Sequence, residues 1–356
     1  MKRMKIILTG ACGFAGSTIA ADLLASRDGI EIIGVDNLSR PGSELNRPIL
    51  TKMGIKLRHL DIRNASDLDT LPPADWIIDA AANPSILAGI DGRASSRQVI
   101  EHNLLGTINL LEYCKQHRAG FILLSTSRVY SVAALTAIRV AVIKDAYRPA
   151  AQKTRGLSSH GISEEFSTEA PLSLYGAAKR ASEQLALEYG SSFQFPVWIN
   201  RCGVLAGAGQ FGKADQGIFS FWIHSYRWRK PLQYLGFDGE GHQVRDCLHP
   251  RDLIPVLLKQ INGATGAPVC NFSGGTRNSM SLRQLSAWCT NRFQAHNVGH
   301  DMQVRSFDVP WLVLDCSHAR RQWDWHPQTS IESVLEEIAV HADTRPNWLG
   351  LSRSPD

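Results

Sequence analysis

The sequence predicts an α/β protein: a doubly wound parallel sheet with a smaller, interleaved C-terminal lobe. Two observations carry this. Short β-branched runs alternate with helical stretches over the first two hundred residues, the pattern of strands covered by helices on both faces. The first run empties into a glycine-rich turn, "TGACGFAG", that opens directly onto a helical stretch.

The elements follow in chain order. "KIILT" (5–9) reads as a buried strand, and "FAGSTIAADLLAS" (14–26) as a helix whose small residues allow close packing. "EIIGVD" (31–36), "IKLRHLD" (55–61) and "DWIIDAAA" (75–82) are the next strands. "SSRQVIEHNLLGTINLLEYCKQH" (95–117) is a long helix with Val99, Asn103, Gly106, Leu110 and Tyr113 near one face. "GFILLST" (120–126) follows as a strand. Residues 131–170 break the rhythm and exceed a normal connection, which marks the segment as functional or mobile. A helix starts near Pro171 and runs to 190, and "FPVWINRCGVLAG" (195–207) is a strand entering a Gly-rich loop. A chain of 356 residues is long for one core. Residues 1–206 are read as mainly a dinucleotide-binding, Rossmann-type domain. Residues 207–345 are read as mainly a substrate lobe with segments returning to the sheet, and 346–356 as a polar tail.

Composition narrows the class. Hydrophobic content of 44% and charged content of 20% fit a globular protein. The net charge of +5 fits either a solvated basic surface or a site for anionic ligands such as nucleotides. Seven cysteines (Cys12, Cys114, Cys202, Cys247, Cys270, Cys289, Cys316) are odd in number and never spaced CxxC. They read as reduced thiols in a reducing compartment, with no metal site. Gly10 and Gly13 interrupt the basic, apolar start too early for a signal peptide. The most apolar later stretch, "VAALTAIRVAVI" (132–143), is too short for a membrane span and contains Arg139. A cytoplasmic protein without membrane contact is expected.

Two motifs carry chemistry. Gly10, Gly13 and Gly16 lie between a strand and a helix. Glycine there permits the tight turn and lets backbone N–H groups approach a pyrophosphate at the helix N-terminus. Asp36 ends the second strand, where an acid accepts hydrogen bonds from both adenosine ribose hydroxyls and repels a 2′-phosphate. NAD is therefore favoured over NADP, although Arg40 is a basic residue of the kind that helps hold NADP. Asp61 is a candidate for the adenine edge. Further on, "YGAAK" puts Tyr175 and Lys179 four apart on one helix face. A neighbouring ammonium favours phenolate, so such a tyrosine can take a proton from a substrate alcohol while hydride leaves carbon.

With these residues the chain resembles the extended short-chain dehydrogenase/reductase family, in its NAD-dependent sugar epimerase/dehydratase branch, over roughly 4–340. The resemblance implies NAD as cofactor. It implies that Thr126 bonds the reacting sugar hydroxyl, that Tyr175 is the base, and that Lys179 holds the ribose and tunes Tyr175. It places the cofactor along Gly10, Gly13, Phe14, Ala15, Gly16, Asp36, Asn37, Ser39, Arg40, Asp61, Ile62, Ala80, Ala81, Ala82, Asn103, Ser125, Tyr175, Lys179, Arg201 and Val204. Family members that eliminate water from a hexose place an Asp-Glu pair directly after the threonine; here stand Ser127 and Arg128. Oxidation and re-reduction need no such pair, so epimerisation is expected. "ADQGIFSFWI" (214–223), "GEGHQVRDCLHPRDLI" (239–254) and "NFSGGTRNSMSLRQL" (271–285) resemble the CDP-paratose 2-epimerase group. Cys202 and Gly203, and the 131–170 segment, depart from that group.

Substrate candidates are Thr126, Ser127, Gln210, Phe211, Asp215, Gln216, Arg245 and His249. Arg245 can grip a diphosphate in a fork or pair with Asp246 or Asp252. His249 fits equally a buried structural histidine. The expected ligand is a CDP- or UDP-linked sugar, and the helices 95–117 and 172–190 resemble those of the family's homodimer interface. The rival readings are a 4-epimerase or oxidoreductase of another nucleotide-diphosphate sugar, and a non-catalytic dinucleotide-binding scaffold that uses "SYRWRK" (225–230) to contact RNA. The bland reading of that stretch is an exposed helix end, and no nucleic-acid partner is expected.

Overall fold

The structure, a computed structural model, describes residues 3–90, 92, 95–213, 216–303 and 305–351. Five strands form in the first 126 residues: β1 (Met4–Thr9), β2 (Ile30–Asp36), β3 (Lys56–His59), β4 (Trp76–Asp79) and β5 (Gly120–Thr126). Two short antiparallel pairs follow, β6 (Val140–Ile143) with β7 (Ala146–Pro149), and β8 (Leu157–Ser158) with β9 (Gly161–Ile162). The later strands are β10 (Val197–Cys202), β11 (Gln233–Leu235), β12 (Val244–Asp246), β13 (Val269–Phe272), β14 (Ser279–Ser281), β15 (Gly299–Asp301) and β16 (Trp311–Leu312).

The central sheet is seven-stranded and parallel in the order β13-β10-β5-β4-β1-β2-β3. The order reverses about β1 and β4, so the carboxyl ends of these strands flank a crevice, the usual ligand position in such sheets. Register aligns the functional strand ends: Thr9 pairs with Asp79, and Thr126 with Cys202. Apolar clusters cover both faces. One joins β1 and β5 to the helices Phe14–Ser26 and Ile254–Ile261, and the other joins Ile7, Ile77 and Leu123 to Gly106–His117. A third cluster holds the later segments together, with Trp222, Ile223, Leu285 and Ile338 at its centre.

The helix read over 95–117 has Val99, Asn103, Gly106, Leu110 and Tyr113 all buried, as its periodicity predicts. Its middle turn, Glu101–Leu105, is wound wider than an α-helix. The helix expected from Pro171 begins at Leu174, because the Ser173 side chain accepts the Gly176 N–H and caps the turn there. The 131–170 segment is built of small pieces fastened across to later chain. Tyr147 N–H donates to His242, Ile162 N–H to Val313, and the Ser281 hydroxyl to the Asp145 carbonyl. No helix among the described residues is long and apolar enough to cross a membrane.

Candidate active site

A cavity of about 450 Å³ opens at the carboxyl ends of β1, β2, β4, β5 and β10 and reaches the later segments. Its floor is the turn after β1. Gly10 has φ +61°, and a Cβ there would lie 2.9 Å from the Ala80 carbonyl. A Cβ on Gly16 would lie 2.1 Å from the Gly10 carbonyl, so only glycine lets the helix Phe14–Ser26 seat on the turn. That helix has no side-chain cap, which leaves its first N–H groups for a ligand.

Asp36 stands at the end of β2. Its carboxylate accepts the Cys12 and Leu38 N–H groups, each at 2.8 Å, and shapes the turns on either side. Burial pushes its pKa up, and these backbone donors pull against it. Arg40 reaches across to the later chain: it donates to the Gln216 side chain at 2.5 Å and to the Phe211 carbonyl. The turn after Asp36 is thereby tied to the 210–217 loop.

Across the cavity, Tyr175 sits in the first turn of the helix Leu174–Phe193. Burial pushes its hydroxyl up to about 12, while the Thr126 hydroxyl and the Arg128 guanidinium pull it back. Lys179 lies one turn deeper, 1% exposed, and its Nζ has no hydrogen-bond partner. Burial lowers its pKa, opposed by Asp79 and Glu183. A bare ammonium beneath a glycine cradle suits a dinucleotide whose ribose hydroxyls complete it. The residues present therefore fit NAD.

Of the sequence candidates, the cavity is lined by Gly10, Gly13, Phe14, Ala15, Gly16, Asp36, Asn37, Ser39, Arg40, Ile62, Ala80, Ala81, Ala82, Ser125, Thr126, Ser127, Tyr175, Val204, Gln210, Phe211, Gln216 and Arg245. Five described candidates lie off its wall. Lys179 is beneath it. Asp61 is gripped by Arg63 at 2.6–3.1 Å and by Asn37, and the Arg63 guanidinium holds its pKa well below the carboxylate range. Asn103 bonds the Asn83 and Val99 backbone and fastens the chain after β4. Arg201 is forked onto the buried Glu183 at 2.9 and 2.7 Å. His249 accepts the Arg251 N–H, faces Glu337 at 3.2 Å, and is held neutral by burial, which lowers its pKa to about 4. Asp215 lies outside the described residues.

Other lining residues escaped the sequence reading. His102, Arg305 and Asp308 line the cavity, and no motif surrounds them. Glu183 had a signal: it continues the spacing of Tyr175 and Lys179 by four more residues. The basic-aromatic stretch 225–230 is spent internally. Arg227 pairs with Asp343 at 2.5 Å, Trp228 donates to the Ala342 carbonyl, and Arg229 reaches the Phe293 and Ala295 carbonyls. Away from the cavity, Glu164, Cys270 and His318 bring donor atoms within 4.8 Å of one another. Glu164 Oε1 there accepts the Asn271 N–H of the sheet's edge strand.

Comparison with known proteins gives three independent likenesses. The chain is 28% identical over 348 residues to the CDP-paratose 2-epimerase of Salmonella typhi, covering 94% of this chain and 98% of that protein. It is 26% identical over 340 residues to a UDP-glucuronate 4-epimerase of Thermodesulfobacterium geofontis, covering 93% of each. The structure of UDP-glucuronic acid 4-epimerase from Bacillus cereus, solved with UDP-glucuronic acid and NAD, superposes with a TM-score of 0.77 at 23% identity, covering 96% of this chain and 99% of that one. Residues 6–268 match the profile of one family throughout. With the glycine turn, Asp36 and the Tyr175–Lys179 pair in place along that span, the chain belongs to the NAD dependent epimerase/dehydratase family.

Proposed function

We propose that the protein is a nucleotide-sugar epimerase that inverts C2 of a CDP-deoxyhexose through a transient keto sugar, with NAD retained between turnovers. The observation that carries this reading is the turn after β5. Thr126, Ser127 and Arg128 offer the cavity two hydroxyls and a guanidinium, with no carboxylate to drive elimination of water. The likeness to the Salmonella enzyme over almost the whole of both chains supports the choice of carbon and base. The UDP-glucuronate relative favours a second reading, inversion at C4 of a UDP-sugar.

Thr126 orients the reacting sugar hydroxyl, and Tyr175 takes its proton as the carbon is oxidised. NAD, when bound, would supply the hydride acceptor for the oxidation and the hydride donor for the reduction. Tyr175 keeps the proton while the sugar is a ketone and gives it back when the opposite face is reduced, so no net electrons or protons are exchanged. Lys179 holds the ribose from below.

Supplying CDP-paratose deuterated at C2 tests the reading. Inverted product that keeps deuterium at C2 is the expected result; deuterium lost to water, or inversion at C4, would sink it. Protein purified without added cofactor should release near-stoichiometric NAD on denaturation, as mass spectrometry would show. We also propose a homodimer through the helices spanning 95–117 and 174–193, which leave Leu105 (39%) and Phe193 (44%) exposed on the chain alone. A monomer mass by light scattering at micromolar concentration would contradict it.

A further inference from the structure

The cavity wall beside Tyr175 carries more positive charge than its own carboxylate balances. Arg128, Arg245 and Arg305 line it with one acid among them, Asp308. Asp308 is already engaged: its Oδ1 accepts from Arg245 Nη2 at 2.7 Å and from the Val309 N–H at 2.9 Å. Arg245 Nη1 donates to the Val244 carbonyl at 2.8 Å. Among the described residues, the Arg128 guanidinium makes a single long hydrogen bond, 3.5 Å to the Phe307 carbonyl, and the Arg305 side chain makes none. Burial works against charge on Arg128 and Arg245, a cost that a ligand completing them would offset. Three guanidiniums against one carboxylate leave the net charge that a diphosphate diester neutralises, and the fork geometry suits its oxygens.

Where Arg128 is tethered says more than its charge. Its backbone N–H donates to Thr126 Oγ1 at 3.1 Å. Its carbonyl presses on Gly176, where a Cβ would lie only 2.3 Å away. The turn that bears Arg128 is therefore locked against the helical turn that bears Tyr175. Burial and the neighbouring Arg245 lower the Arg128 pKa to about 10, so it is still a cation at neutral pH. In a sugar joined to a diphosphate through C1, the phosphate hangs from the carbon next to C2 and lies across the ring from C4. A cation fixed at the reacting centre has an anion to meet when C2 reacts, and none when C4 of a neutral sugar reacts.

We infer that Arg128 grips the sugar-bearing phosphate and so sets C2, rather than C4, against Tyr175. This rests on the nucleotide-sugar reading above and adds the element that chooses the carbon. The experiment is calorimetric titration of the NAD-loaded protein with CDP, UDP and CMP. Arg128→Gln is expected to weaken CDP by about tenfold or more and to leave CMP, which lacks the second phosphate, unchanged. Arg128→Lys, which keeps the charge and loses the fork, should fall between. Unaltered NAD content and melting temperature in both variants guard against misfolding. CDP affinity that ignores both substitutions, or equal loss of CDP and CMP, overturns the assignment while the nucleotide-sugar reading stands. Failure of wild-type protein to bind either CDP or UDP overturns both.

Discussion

Burial opposes charge on both Tyr175 and Lys179. The phenol is pushed up to about 12 by burial, and the ammonium is pulled down by burial with no hydrogen bond to its Nζ. Substituting Tyr175→Phe removes the proposed proton acceptor and little volume. Turnover should fall about 10²–10⁴-fold while NAD content is unchanged, measured as kcat beside NAD released per protein. A wild-type rate in that variant would remove Tyr175 from the chemistry. Glu183 is fully buried and carries Arg201, the Ser125 hydroxyl at 2.6 Å and Arg180 at 3.4 Å. Glu183→Gln leaves the buried Arg201 without its counter-charge and should cost about 3–5 kcal/mol, read as the shift of the urea midpoint. Combining it with Arg201→Met should recover much of that loss.

At the scale of elements, the helix Leu174–Phe193 repeats one spacing twice: Tyr175, Lys179 and Glu183 all fall on its buried face. The first two were legible in the sequence because a dinucleotide turn preceded them. The third was legible by spacing alone, yet an acid in a helix reads as solvated until its partner strand is known. Strands β1, β2, β4 and β5 could be read from the sequence because β-branched runs buried on both faces leave no competing pattern. Strands β8, β9 and β11 to β16 are two to four residues long, too short for any period to show, and the 131–170 pieces rely on bonds to chain beyond residue 240. Asp61, Asn103 and Arg201 show a related limit. Each is a polar residue near a strand end or on a buried face, and only the fold shows that Arg63, the Asn83 backbone and Glu183 engage them.

The helices Ile218–Arg227 and Ile331–Thr344 meet through His224 and His341, 3.2 Å apart. Burial lowers their pKa values to about 3 and about 4, and each ring disfavours charge on the other or is disfavoured by a nearby cation, Arg345 beside His341. The unfolded chain binds these protons near pH 6.5 and the folded chain does not, so their contribution is intact above that value. It is lost as pH falls from about 6.5 toward 4. Melting temperature should decline over that window, and His341→Gln should flatten the decline; an equally steep curve in the variant would discount the pair.

For the whole molecule, the sheet strands and the later segments line one cavity, and Arg40 is a physical link across it, from the turn after β2 to Phe211 and Gln216. Arg40→Ala should leave both half-sites standing and weaken their communication. On the proposed reaction, the expected sign is slow accumulation of reduced nicotinamide, as half-reacted sugar escapes; absorbance of the reduced ring during turnover would show it, and a clean baseline in the variant would argue against the link. Two sites joined by such a strut share a free energy of binding. Whatever grip the nucleotide gains from a seated cofactor, the cofactor gains in return. For a reaction that pauses with the sugar oxidised and the cofactor reduced, that reciprocity works as custody: neither partner is readily released until the other has been restored.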